Sequence, residues 1–455
     1  MYILRVLIIC LIPFSVFAEI PLEYKKIINK YEASQDSFTF IVKNLTNKSE
    51  SLVAHNEKKL FNPASLVKII STFIAVKELG PQFKWQSDFF HNGDIIGDTL
   101  DGDLIFKGRG DATFSITNLE SSIRKIQRNG IKNIKGDLIL DLSYFGLAPK
   151  EKLFDNDPMR AYNALPKPVV IQSNTMNFVF AMKGSKLNIE SNPDLKYIMV
   201  KNNIKITNDR CIDWKSKLDY RTEKKDSNFK IIFGGTFSRK CGTKGINLTV
   251  LNDEDYFYRI FKQTWNANGG KFSGNLQLTY IKDANRKVLY SHNSKPLSEI
   301  IRDVNKYSLN LMARNTMLTI VAEDSDLLVL ESSVNKYVNR WFDKNSLLHN
   351  GLFIENGAGL SRNSALTSEQ LLLFMEKIYH NPLMPEMLSS LPISGVDGTL
   401  RRRMNYSSFK NSGHFKTGSM RNVNAIAGFL LDKNKEMKIF IFIMNDLTAK
   451  DSHRL

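Results

Sequence analysis

A run of helical length opens at Asn62-Pro63-Ala64-Ser65-Leu66-Val67-Lys68 and continues through the apolar residues 69–76. Pro63 falls at the first helical position, where its missing N–H has no intrahelical partner to lose, and Gly80-Pro81 stops the helix after about Leu79. Ahead of it, residues 37–42 and 51–55 alternate apolar and polar around an Asn/Lys/Ser turn and predict a β-hairpin. From 85 to 105 the pattern changes to short strands between Gly-Asp turns. Residues 119–127 predict a helix ended by Asn129-Gly130, and 137–142 a buried strand. Residues 162–251 are strand-like and rich in loops. Helical periodicity returns over 297–306 and 311–322, and Thr367-Ser368-Glu369-Gln370 is a capping box for a helix through Tyr379. The chain ends in two apolar strands, 423–431 and 438–444, around the turn Asp432-Lys433-Asn434-Lys435.

One internal echo stands out. Residues 129–138 and 268–276 each follow a helical stretch, carry Asn-Gly and Gly-Asp or Gly-Asn turns, and precede a strand. They read as related units of one small α+β domain, interrupted by a β-rich module.

At 455 residues the chain exceeds one ordinary core, and two or three domains are expected. Composition is that of a globular protein, with 42% hydrophobic and 24% charged residues. The net charge of +17 suits an anionic partner such as an acidic polymer or a membrane surface, although the lysines are scattered rather than gathered in a basic block. The first residues read as a secretory signal: Arg5, an apolar core over 6–14, and a small-residue cleavage site at Val16-Phe17-Ala18. An uncleaved anchor is the alternative. Cleavage after Ala18 leaves Cys211 and Cys241, which in an exported protein read as one disulfide, with two free thiols as the alternative. No Cys/His spacing suits zinc and no phosphate-binding Gly-rich loop is present, so neither metal nor cofactor is expected. Arg109-Gly110-Asp111 reads as a tight turn.

Three short motifs carry candidate chemistry. Ser65 and Lys68, three apart, share one helix face, which pairs a hydroxyl nucleophile with an amine base at the positive end of a helix. Ser308-Leu309-Asn310 falls between two helices, so its side chains can project from a loop. Lys416-Thr417-Gly418-Ser419 precedes the last hairpin, as an edge strand would. Ser65 would attack. Lys68 can take its proton only if neutral, which requires burial and a second cation, for which Lys416 is the candidate. The Ser308 hydroxyl would relay a proton to the leaving amine, and Asn310 would hold a substrate amide. Lys416 and Thr417 suit a terminal carboxylate. Gly418 lets substrate lie against the strand, and the backbone N–H groups of Ser65 and Ser419 would form an oxyanion hole.

These motifs in this order resemble the active-site set of penicillin-binding proteins and serine β-lactamases. About 240 residues separate Lys68 from Ser308, more than a compact β-lactamase has room for. The chain closely resembles the class C low-molecular-mass penicillin-binding proteins, the D-alanyl-D-alanine carboxypeptidase/endopeptidases of peptidase family S13. The resemblance extends to Gly110-Asp111-Ala112-Thr113, Gly136-Asp137-Leu138-Ile139-Leu140-Asp141, Asn356-Gly357-Ala358-Gly359-Leu360-Ser361-Arg362 and Gly395-Val396-Asp397-Gly398-Thr399-Leu400. It implies a mixed α/β (α+β) transpeptidase/β-lactamase-like domain, an antiparallel sheet flanked by helices, over 19–84 and 292–455. Two nested inserts are implied: small α+β over 85–160 and 271–291, and β-rich over 161–270. The implied activity is periplasmic hydrolysis of peptidoglycan stem peptides, and of D-Ala-diaminopimelate cross-links, with β-lactams as covalent inhibitors. Nucleic acid is not an expected partner, and peripheral membrane contact is compatible with the charge. The resemblance also implies a side pocket for the diamino acid, with Asp141 and Arg362 as candidates and Phe145 and Arg421 after them.

Three departures from the family pattern set further expectations. Asn356-Gly357-Ala358 stands where the family has Asp-Gly-Ser, and Arg314 follows Ala313 where an acidic residue is usual. The sequence stops at Leu455, where relatives continue into a helix over the sheet, so an apolar sheet face is expected to be bare unless another element covers it. Two rival readings remain: a β-lactamase, which would also deacylate quickly, and a catalytically weak envelope-binding or scaffold protein.

Overall fold

The computed structural model describes residues 34–47, 53–145, 154–225, 228–280, 286–324, 326, 328–404 and 409–447. The signal-peptide reading over 1–18 lies outside them.

The first and last parts of the chain meet in one sheet. Strands Val53–His55, Phe38–Asn44, Met437–Asn445, Val423–Leu431 and Gly413–Met420 run antiparallel in that order, so the strand carrying Lys416 is an edge. A cross-strand row, Ile41, Ile441, Ala427 and Lys416, faces the helices. The first three members belong to the main apolar cluster. Lys416 therefore takes a core-facing position by register alone.

Against that face lies the helix Val67–Leu79. Every residue from Val67 to Val76 is buried, which is why the run shows no polar stripe: a helix apolar all round is a central one. Its two hydroxyls are satisfied by carbonyls, Ser71 by Gly357 at 2.7 Å and Thr72 by Lys68 at 2.6 Å. Helices Leu297–Tyr307, Asn310–Ala322, Ser332–Lys344 and Ser368–Tyr379 complete the layer around it. The last begins with a reciprocal cap, the Thr367 hydroxyl accepting from Gln370 N–H and the Gln370 side chain from Thr367 N–H. On the other sheet face Phe38, Phe40 and Met444 are buried and Phe442 packs on them, while Ile426 and Phe440 stay half-buried.

Between 86 and 293 the chain forms other sheets. Gln86–His91, Leu104–Lys107, Leu138–Asp141, Leu276–Thr279 and Lys287–Asn293 make one five-stranded sheet. The two echoed stretches lie side by side within this region. Lys271 pairs with Asn133, Phe272 with Ile134 and Leu276 with Leu138, all parallel, and a helix precedes each, Ile116–Arg128 and Asp253–Ala267. The bounds implied by the resemblance place the second helix in the β-rich insert, whereas the echo places it with the α+β unit. It packs on the first helix and on the strands Lys271–Phe272 and Leu276–Thr279, with Phe257, Ile260, Phe261 and Trp265 buried on its apolar face. The β-rich part holds Met176–Lys183 between Lys186–Asn192 and Lys244–Leu248, and Asn228–Ser238 among three further strands. Cys211 and Cys241 are bonded there, with Cα atoms 4.9 Å apart. A single second apolar cluster, from Phe89 to Phe272, runs through both parts.

Candidate active site

The turn that carries Ser65 is built before the helix starts. Pro63 caps a 3-10 turn over Ala64–Leu66, and the α-helix begins at Val67, so Pro63 precedes the helix rather than opening it. Ala64 has φ 47°, a left-handed value uncommon for a residue with a Cβ. Asn62 over-determines this geometry. Its Oδ1 accepts from Ala64 N–H at 2.9 Å, its Nδ2 donates to the Ser361 carbonyl, and its backbone N–H donates to Asn445 Oδ1 on the last strand. Two glycines let the backbone close in. A Cβ on Gly359 would lie 1.9 Å from the Ala64 carbonyl oxygen, and one on Gly418 only 3.1 Å from Ser65 N. The Lys-Thr-Gly strand thus runs directly beside the Ser65 backbone, as an oxyanion hole shared between them requires.

Ser65 is half-buried, while Lys68 beneath it is fully buried. Lys68 Nζ lies 3.0 Å from Ser65 Oγ, 2.8 Å from Asn310 Oδ1 and 2.7 Å from the Ala358 carbonyl oxygen. Burial, and after it the charge of Lys416, hold the Lys68 ammonium well below the usual lysine range. The partners then dictate how a neutral amine sits. It has two N–H bonds and one lone pair, and two of its neighbours are acceptors only. Asn310 Oδ1 and Ala358 O take the N–H bonds, and the lone pair is left for the Ser65 hydroxyl. That is the orientation a general base needs.

Ser308 ends the helix Leu297–Tyr307 in a left-handed conformation, φ 57°, and Asn310 starts the next helix. This abrupt turn brings Ser308 Oγ within 3.0 Å of Lys416 Nζ, which also donates to the Thr417 carbonyl at 2.8 Å. Lys416 is fully buried, and burial lowers its pKa to about 7. Thr417 Oγ1 lies 2.8 Å from Thr399 Oγ1, so a second hydroxyl joins the end of the site where a carboxylate would bind. Among the described residues, no group of three or more His, Cys, Asp or Glu could hold a metal ion, and no helix is long and apolar enough to cross a membrane.

Ser65, Lys68, Ser308, Asn310, Lys416, Thr417 and Gly418 are thus brought together, with Ser419 exposed at the end of the strand. Asp141 is placed differently from expectation. Its buried carboxylate is bonded to Arg286, lies 3.8 Å from Lys107 and caps Ser143 N–H, so local cations already neutralise it. Arg362 is exposed, donates to the Arg421 carbonyl and packs over the Phe154 ring at 4.7 Å. Phe145 is buried in the main core. Sequence reading did not find the roles of Ala358 O and Thr399, although both lie in stretches that carry the family resemblance. In Ala358 the reacting contact is a backbone carbonyl, which no side-chain pattern reports. The Asn356 side chain, where an Asp is usual, shapes that loop by accepting from Ala358 N–H and donating to the Leu360 carbonyl.

The fold and the family it matches place the chain among the penicillin-binding carboxypeptidases. The chain belongs to the D-Ala-D-Ala carboxypeptidase 3 (S13) family, whose sequence profile matches residues 23–454. It is 25% identical over 417 residues to D-alanyl-D-alanine carboxypeptidase DacB of Haemophilus influenzae, covering 90% of this chain and 86% of that one. It is also 25% identical over 429 residues to the penicillin-sensitive carboxypeptidase A of Dictyostelium discoideum, with 87% and 80% covered. Among solved structures, penicillin binding protein 4 (dacB) of Haemophilus influenzae superposes with a TM-score of 0.77 at 24% identity, covering 90% of each chain. The same protein complexed with a β-lactam superposes at 0.73.

Proposed function

We propose that this protein is an exported serine DD-peptidase of peptidoglycan that works through a Ser65 acyl-enzyme. The observation that carries the reading is the Lys68 amine, fully buried, with no carboxylate within ion-pair reach among the described residues, and held between Ser65, Asn310 and Ala358. Ser65 Oγ attacks the penultimate D-Ala carbonyl as its proton passes to Lys68 Nζ. The peptide C–N bond then breaks, and a proton returns to the departing amine through Ser308. Water hydrolyses the ester in the second half-reaction. Lys416, Thr417 and Thr399 bind the carboxylate on the carbon that bears the leaving amine. Terminal D-Ala and the diaminopimelate of a cross-link both present that group, so one site serves carboxypeptidase and endopeptidase cleavage. Penicillins acylate the same serine. Arg362 serves the free end of the diamino acid; Asp141 contributes only if substrate displaces Arg286. The assembled base speaks against a purely scaffolding role.

Fluorescent penicillin tests the assignment: wild-type protein is labelled and Ser65→Ala is not. Persistent labelling of the alanine variant would sink it.

A further inference from the structure

Arg314, the cation that departs from the family pattern, lies one turn beyond Asn310 on the helix Asn310–Ala322 and is buried. Its Nε and Nη2 each lie 2.6 Å from an oxygen of the Glu331 carboxylate, a bidentate pair that leaves no net buried charge. Its Nη1 donates to the Ala164 carbonyl at 2.9 Å. The same helix grips this part of the chain twice more. Asn310 Nδ2 reaches the Tyr162 carbonyl at 3.4 Å, and Asn315 Nδ2 donates to the Lys167 carbonyl at 3.0 Å.

The segment so held, 154–164, is stiffened from within. Asp155 accepts from the Tyr162 hydroxyl at 2.7 Å and from Asn163 Nδ2 at 2.6 Å. At one end it touches Asn310, which is itself bonded to Lys68; at the other, the Phe154 ring lies under Arg362. It therefore spans the distance between the reacting groups and the candidate subsite.

We propose that Arg314 is a positioning residue for peptide specificity: it fixes segment 154–164 as a wall along which the peptide extends beyond the scissile bond. The ligand class is a stem peptide long enough to pass Asn310, as opposed to a small β-lactam that occupies only the reacting end. This rests on the DD-peptidase reading. Lysine cannot replace Arg314, because one ammonium cannot make the forked pair with Glu331 and also reach the Ala164 carbonyl in fixed geometry.

Two variants test it. Arg314→Lys keeps the charge and loses the fork. The double variant Arg314→Met/Glu331→Met removes the pair without stranding a buried carboxylate, and so remains informative if the single variant fails to fold. The readouts are the second-order rate of acylation by benzylpenicillin, and kcat and KM for D-Ala release from a pentapeptide. We expect penicillin acylation and kcat to stay within about twofold while KM rises on the order of tenfold, the signature of lost binding rather than lost chemistry. An unchanged KM in a folded double variant would overturn the proposal. So would an equal loss of penicillin acylation and peptide turnover, which would mark Arg314 as a support of the whole site. Wild-type protein that neither bound penicillin nor released D-Ala would instead refute the DD-peptidase reading, before any variant is compared.

Discussion

Two sets of buried cations lie around the helices that meet at Ser308, and they are treated in opposite ways. In the bracing region, Lys306 lies 2.6 Å from Asp397 and Arg314 is forked to Glu331. In the reacting pocket, Lys68 and Lys416 are buried more completely, yet among the described residues neither has a carboxylate within ion-pair reach; their neighbours are hydroxyls, an amide and carbonyls. The difference is chemical. A buried lysine paired with a carboxylate holds elements together. One without it gives up the proton, because desolvation penalises only the charged form. The same side chain is thus braced against a carboxylate at 306 and held among a hydroxyl, an amide and a carbonyl at 68.

The largest effect should come from the base itself. Lys68→Ala is expected to slow acylation by benzylpenicillin by on the order of 10²- to 10⁴-fold while the protein stays folded. A near-normal rate, measured by stopped-flow or by labelling over time, would remove Lys68 from the mechanism. The bracing region should respond in stability instead. Glu331→Ala strands the Arg314 guanidinium and is expected to cost about 3–5 kcal/mol in urea unfolding. A loss below about 1 kcal/mol would mean that the pair resembles an exposed surface bridge.

A third effect, seen only as pH changes, concerns an acid in the lysines' predicament. Asp253 is buried at the start of its helix, and burial, then the neighbouring Glu254, raise its pKa to about 7. A carboxyl group with a raised folded pKa binds its proton more tightly in the folded state. The stability it contributes is fully present below about pH 4 and is lost as pH rises through about 7. Asp253→Asn should flatten the fall in thermal midpoint across that window; an identical pH profile in both proteins would show that Asp253 does not drive it.

The local parts of this structure were legible in sequence. Pro63 and Gly80-Pro81 bound the Ser65 helix region, the Thr367–Gln370 box caps its helix, and the two echoed stretches read as related units, although their parallel pairing was not legible. The three reacting motifs were readable because each is short and chemically specific. What escaped were facts fixed by distant partners: Arg286 closing on Asp141, Ala164 and Glu331 converging on Arg314, and the Ala358 carbonyl facing Lys68. Likewise, nothing local in the sequence of the helix Asp253–Ala267 told which sheet its apolar face would meet.

Titrating the ¹³Cε resonances of protein with labelled lysine, assigned through Lys68→Arg and Lys416→Arg, reads directly whether burial without a counter-ion lowers the affinity of the pocket lysines for their protons. We expect a Lys416 midpoint near pH 7 and a Lys68 midpoint well below the ordinary 10.5. Two resonances titrating near the ordinary 10.5 would overturn that expectation.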